Sequence, residues 1–167
     1  SYIRIRKIYR WFIEKDKSKT VILERVEEID NSGNENERLM KKGINLIGYI
    51  KSEHGVGEAC RHTAECIEKI GIDWSIYDYE VGNICRKEDR RWQKKISEEI
   101  MYNVSIFNIN ADQMYVAKEH LPREAWNGYK IGIWYWELQE FPDEWLSALD
   151  LVDEIWAPTR FIADSIS

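Results

Sequence analysis

Residues 43–71 read GINLIGYIKSEHGVGEACRHTAECIEKIG. The first part, 43–50, is an Ile-rich apolar run of strand length, the pattern of a strand buried on both faces. Residues 51–56 form a polar loop carrying glycine. From 57 to 70, Ala59, His62, Thr63, Cys66, Ile67 and Ile70 fall on one face of a helix, and Gly71 reads as its stop. Strand, short loop and helix in this order are the first half of a βαβ unit.

The pattern repeats towards the C-terminus. Strands are expected at 73–79, 103–109, 129–136 and 153–157. Helices are expected at 88–100 (Trp92, Ile96 and Ile100 inward), at 111–121 before Pro122, at 143–151 after Pro142, and from 159 onward. Alternation of this kind predicts a parallel sheet covered on both faces, a doubly wound, Rossmann-like α/β domain. Towards the N-terminus the character changes near residue 42. Residues 1–42 read as a helical extension and linker, and 43–167 as the domain. Within 2–13, Arg4, Arg6, Lys7 and Arg10 accompany Ile5, Ile8, Tyr9, Phe12 and Ile13 at helical spacing. This helix is expected either to pack on the domain or to rest on an anionic membrane. Residues 21–29 continue as helix, and 31–36 read as a linker.

Composition narrows the function. The chain has 167 residues and a formal net charge of −6, which disfavours a nucleic-acid binder. Its longest apolar runs are strand-sized, so no membrane span is expected, and no secretory signal is visible. Three cysteines, Cys60, Cys66 and Cys85, are too few and unevenly placed for a disulfide framework. They fit reduced thiols and a cytoplasmic location, at most peripheral to the inner face of a membrane. Cys60 and His62 lie near His54, but without zinc-type spacing, so no metal is expected.

In a doubly wound sheet, ligands bind beyond the carboxyl ends of the strands. The first such loop, Ser52-Glu53-His54-Gly55-Val56-Gly57-Glu58, offers two glycines and a helix N-terminus, a combination suited to phosphate. A third glycine at dinucleotide spacing is missing, which argues against an NAD-dependent oxidoreductase. The third strand delivers Asn108, Asn110, Asp112 and Gln113, fit for sugar hydroxyls or for helix capping. The fourth delivers Trp134, Tyr135, Trp136 and then Glu137, a carboxylate beside two indoles. Four of the eight tryptophans lie between 134 and 156. They serve either as core or as a wall on which a pyranose stacks.

The helix GEACRHTAECIEKIG and its preceding loop, with NINADQ (108–113), IGIWYWELQEFPDEW (131–145) and VDEIWAPTRFIADSI (152–166), resemble family 4 glycosyltransferases. The resemblance covers about three quarters of the chain. It implies the N-terminal, acceptor-side half of a GT-B enzyme, whose second domain holds the nucleotide and a Glu-x7-Glu pair. That spacing occurs here only at Glu80/Glu88 and Glu27/Glu35, in the wrong half. The implied reaction is retaining transfer of a sugar from a nucleoside diphosphate sugar to a hydroxyl of a carbohydrate or lipid-linked acceptor, in surface polysaccharide or glycoconjugate synthesis. No cofactor is implied beyond the nucleotide-sugar substrate, and this half alone is expected to be inactive. Gly55, Val56 and Gly57, with Glu58, match the glycine loop. Glu137 falls where relatives place a polar residue, often histidine, near the reacting carbon. His54 or Glu53 would assist the acceptor, and Trp136 with Asn110, Asp112 and Gln113 would bind substrate. Thr159-Arg160-Phe161 matches the approach to the second domain. The competing expectation is a stand-alone flavodoxin-like nucleotide-binding or regulatory module.

Overall fold

The computed structural model describes residues 8–10, 15–32, 39–136 and 140–166. It is an α/β structure with six strands: β1 (Ile8–Arg10), β2 (Lys41–Gly48), β3 (Trp74–Asp78), β4 (Tyr102–Asn108), β5 (Tyr129–Ile133) and β6 (Glu154–Ala157). They lie in the order β1-β6-β5-β4-β2-β3, and every neighbouring pair is parallel. Among the described residues four α-helices accompany them: α1 (Lys15–Ser32), α2 (Gly55–Glu68), α3 (Met114–His120) and α4 (Arg160–Ile166). Connections on both faces make the sheet doubly wound, as the alternation of the sequence requires.

The central strands carry the burial. Residues 43–48 of β2 and 103–108 of β4 are all buried, the mark of a strand covered on both faces. On one face, Ile44, Leu46, Ile76, Val104, Ile106, Ile131 and Ile133 pack against Cys60, Ala64 and Ile67 of α2 and Ile22 and Val26 of α1. On the other, Ile47, Phe107 and Ile155 pack against Met114 and Ala117 of α3 and against Ala125, Ala148 and Val152. Beyond α2, Gly71 adopts φ 80°, a left-handed turn that glycine takes without a Cβ clash.

The sheet also contains a polar repair. Pairing of β2 with β4 slips between Lys41 and Ile44. Asn45, buried at 1% exposure, fills the gap. Its Nδ2 donates to Tyr102 O at 2.8 Å, and its Oδ1 accepts from Tyr102 N at 3.0 Å and Met101 N at 3.2 Å. The side chain replaces the ladder bonds that the irregularity removes.

Several elements differ from expectation. Ile8–Arg10, read as part of a helix over 2–13, instead pair with Ile155, Trp156 and Ala157 as an edge strand. The edge of β6 offers backbone hydrogen bonds that a local helical pattern cannot reveal. Residues 2–7 and 11–13 lie outside the described residues, as do 33–36 of the expected linker. The helix expected at 88–100 is replaced by loop, with only a single 3-10 turn at Gln93–Lys95. Trp92 and Ile96 pack on one side of the sheet and Ile100 on the other, so the three never share a helical face. Ile96 bridges Ile76, and Ser97 N donates to Ile76 O at 2.8 Å. The helix expected at 143–151 forms as a 3-10 helix, Asp143–Leu151, entered through Pro142. The fourth expected strand stops at Ile133, which frees Trp134–Trp136 from the sheet. Among the described residues no helix is long and apolar enough to cross a membrane.

Candidate functional site

β2 and β4 are neighbours, yet β2 leads outward to β3 and β4 leads the other way to β5. The chain therefore diverges beyond their carboxyl ends and leaves a crevice. A cleft of about 620 Å³ lies there, lined by His54, Gly55, Val56, Ala59, Asn110, Tyr135 and Trp136.

The loop after β2 is locked from below. Arg61, only 2% exposed, donates from Nη1 to Ile50 O at 2.9 Å and Ser52 O at 2.6 Å. Its guanidinium also meets Glu58 Oε2 at 2.9 Å and Asp89 Oδ2 at 3.4 Å. Hydrogen bonds from Arg61 and then Arg91 hold the exposed Glu58 carboxyl below its ordinary range. Gly57 closes the same lock: a Cβ built on it would sit 2.0 Å from Ser52 O. Its role is to let the loop lie flush on α2. Gly55 differs, since a Cβ there meets nothing within 4 Å. Of the glycines in this loop, Gly55 is the one open to a ligand.

α2 begins without a side-chain cap. His54 occupies the N-cap with extended backbone (φ −103°, ψ 179°), and its side chain makes no capping bond. Its carbonyl accepts from Glu58 N at 3.0 Å. The first N–H groups of a helix have no partner within it, so an uncapped first turn presents donors.

The far wall comes from β4 and β5. Asn110 Oδ1 accepts from Tyr135 N at 3.0 Å, tying the two strand ends together. Trp136 is half-buried, held by a bond from Nε1 to Glu140 O at 2.8 Å and by edge contact with Trp145, 4.6 Å between centroids. Trp134 and Trp156, each 1% exposed, are core, so the tryptophans divide between packing and the cleft.

Polar atoms without partners gather around this crevice. His54 Nδ1, Tyr135 OH, Ser52 Oγ and Asn108 Nδ2 are buried and make no hydrogen bond. Asn108 uses only its Oδ1, accepting from Thr63 Oγ1 at 3.3 Å. Burial, with Cys60 nearby, pushes the Tyr135 hydroxyl above the ordinary tyrosine range, so it stays a neutral donor. Orphaned buried polar atoms are costly, and their clustering at a strand-end crevice favours a polar ligand.

The structure brings His54, Gly55, Val56, Asn110 and Trp136 together in the cleft lining. Gly57, Glu58, Asp112 and Gln113 stand outside it. Glu58 is bound to arginines, and Gln113 Nε2 donates to Asp112 Oδ2 at 3.2 Å. Glu137 lies outside the described residues. Tyr135, Ala59 and Arg61 emerge only here. Tyr135 sat in the quoted Trp-Tyr-Trp run, whereas nothing in the sequence around Arg61 announces a buried cation. Among the described residues no three His, Cys, Asp or Glu side chains gather as a metal site. Compared with protein-family models, curated proteins and solved structures, the chain matches none.

Proposed function

We propose that this chain is the acceptor-side domain of a retaining glycosyltransferase, which moves a sugar from a nucleoside diphosphate sugar to a hydroxyl of a carbohydrate or lipid-linked acceptor. One observation carries the reading. The switch-point cleft combines a half-buried indole, an uncapped helix start beside an open glycine, and unpartnered polar atoms. An indole face suits the C–H face of a pyranose. Donors such as Tyr135 OH suit hydroxyls. Among the described residues the cleft lining holds no lysine or arginine, so the N–H groups of Gly55 and Val56 are the donors that suit a diphosphate. The family resemblance of the sequence supplies the reaction type.

In the reaction, the bond from the anomeric carbon to the diphosphate oxygen breaks, and the diphosphate leaves with the bonding pair. The acceptor oxygen forms the new bond on the same face and loses its proton, which His54 or the departing phosphate takes up. On this reading the nucleotide is held by a second domain of the kind that the resemblance implies.

The test is a titration of the chain with alkyl glycosides and with nucleoside diphosphate sugars, followed by tryptophan fluorescence. Binding of either class is expected, and Trp136→Ala should weaken it roughly tenfold, about 1.4 kcal/mol of lost stacking. No binding at millimolar ligand, or an unaltered affinity in the variant, rejects the reading.

A second reading has one specific observation in its favour. Numbered among themselves, the last five strands run 2-1-3-4-5, the flavodoxin-like order. A stand-alone nucleotide-binding module would bind a flavin or purine nucleotide in the same cleft and ignore glycosides.

A further inference from the structure

The connection between β3 and β4 holds a basic stretch, the second in the sequence after residues 4–10. Residues 86–95 read RKEDRRWQKK, six Lys or Arg against two acids, in a chain of net charge −6. Three of these cations are neutralised internally. Lys87 Nζ meets Glu80 Oε2 at 2.9 Å, Arg91 Nη2 meets Asp89 Oδ2 at 2.7 Å, and Lys95 Nζ lies 3.4 Å from Glu68 Oε2. The other three, Arg86, Arg90 and Lys94, are exposed and have no acidic partner among the described residues. Arg90 donates only to the neutral Gln93 Oε1, at 3.3 Å. Two residues before Arg86 stands Ile84, 99% exposed, more than any other large apolar side chain described.

We propose that this segment docks the domain on an anionic membrane surface, with Arg86, Arg90 and Lys94 at the headgroups and Ile84 in the interfacial layer. The pairing of unneutralised cations with a bare isoleucine is what such a surface rewards: attraction at the headgroups, apolar burial just beneath. A polynucleotide fits less well. The only aromatic ring in the stretch, Trp92, is half-buried with its centroid 5.4 Å from that of Trp74, so no ring is free for base stacking. Glu53 and Glu88 are exposed beside the cations and moderate the attraction. The segment runs against the loop that enters the cleft: Glu53 N donates to Arg86 O at 3.0 Å and Asp89 N to Lys51 O at 3.4 Å. Docking would therefore bring the cleft mouth near the headgroups. The proposal stands apart from the enzymatic reading and from the basic residues at 4–10.

Vesicle co-sedimentation of the full chain tests it. Binding is expected to vesicles of mixed phosphatidylcholine and phosphatidylserine, falling steeply with salt, and to be absent with phosphatidylcholine alone. Each cation removed should cost about fivefold, so R86S/R90S/K94S together should lose on the order of a hundredfold, and E88Q should gain about fivefold. Ile84→Ser should weaken binding several-fold at any salt concentration. Circular dichroism checks that these surface variants keep the fold. The proposal is overturned if the wild type ignores anionic vesicles, or if the triple variant binds them as tightly. It is also overturned if only substitution of Arg4, Arg6, Lys7 and Arg10 abolishes binding, or if single-stranded DNA binds more tightly than the vesicles.

Discussion

Two polar clusters sit at opposite ends of the same sheet. At the amino ends of β5 and β6, Glu154 is fully buried, yet every neighbour answers it. Arg25 Nε donates to Oε2 at 3.0 Å, Tyr129 OH to Oε2 at 2.8 Å, and Trp156 Nε1 to Oε1 at 2.8 Å. Arg25 is further held by Glu28 Oε2 at 2.7 Å and lies 5.5 Å from the Tyr129 ring centroid. At the carboxyl ends of β2, β4 and β5, by contrast, His54 Nδ1, Ser52 Oγ, Asn108 Nδ2 and Tyr135 OH have no partners. The first cluster is complete within the chain and fastens α1 to the sheet. The second is incomplete, and His54 and Tyr135 of it line an opening. Polar burial at one end of the sheet serves architecture, and at the other end it leaves room for a ligand.

The contrast breaks most visibly at Glu154. Glu154→Ala leaves Arg25 buried without its main partner, and should cost about 3–5 kcal/mol, read as a lowered midpoint in urea. A loss below about 1 kcal/mol would mean the cluster fastens nothing.

Two glycines sharpen the comparison in the loop after β2. Gly57→Ala forces a Cβ towards Ser52 O and should cost about 1–3 kcal/mol, with loss of ligand affinity as the loop lifts. Gly55→Ala meets open space and should change stability by less than about 0.5 kcal/mol. Equal effects in the two melting curves would erase the distinction between a packing glycine and a ligand-facing one.

Tyr135→Phe tests the incomplete cluster directly. Removing a hydroxyl that bonds nothing should leave stability unchanged or raise it by up to about 1 kcal/mol, while affinity for the cleft ligand falls about tenfold. A destabilised variant would show that the hydroxyl already has a partner.

The smallest effect concerns the floor beneath Tyr135. Cys60 is fully buried and its thiol is pushed far above its ordinary range, by burial first. Iodoacetamide should therefore label the partly exposed Cys66 and Cys85 and spare Cys60. Mass spectrometry of labelled peptides reads this, and rapid loss of the Cys60 thiol would indicate an opening floor.

Much of the fold was written locally. The run 43–50 and the helical spacing of Cys60, Ala64 and Ile67 state which side chains leave water, and the period fixes strand or helix without reference to distant residues. Glycine and proline mark several ends in the same way, as at Gly71 and Pro142. The five strands from β2 onward were therefore legible in the sequence.

The exceptions share a cause. Ile8–Arg10 carry a helical pattern but accept the open edge of β6, and Trp92, Ile96 and Ile100 mimic one helical face while filling two sides of a sheet. In both places pairing with a distant strand outweighs local preference. The site follows the same division. The sequence itself determined that polar and glycine residues stand at strand ends, because periodicity and turn chemistry are local. Only the tertiary structure decided which of them meet. Strand order sets β2 beside β4, and the crossovers open the crevice between their ends. Arg61 then fixes the loop, so that His54, Gly55, Asn110, Tyr135 and Trp136 face one another while Gly57, Glu58, Asp112 and Gln113 do not.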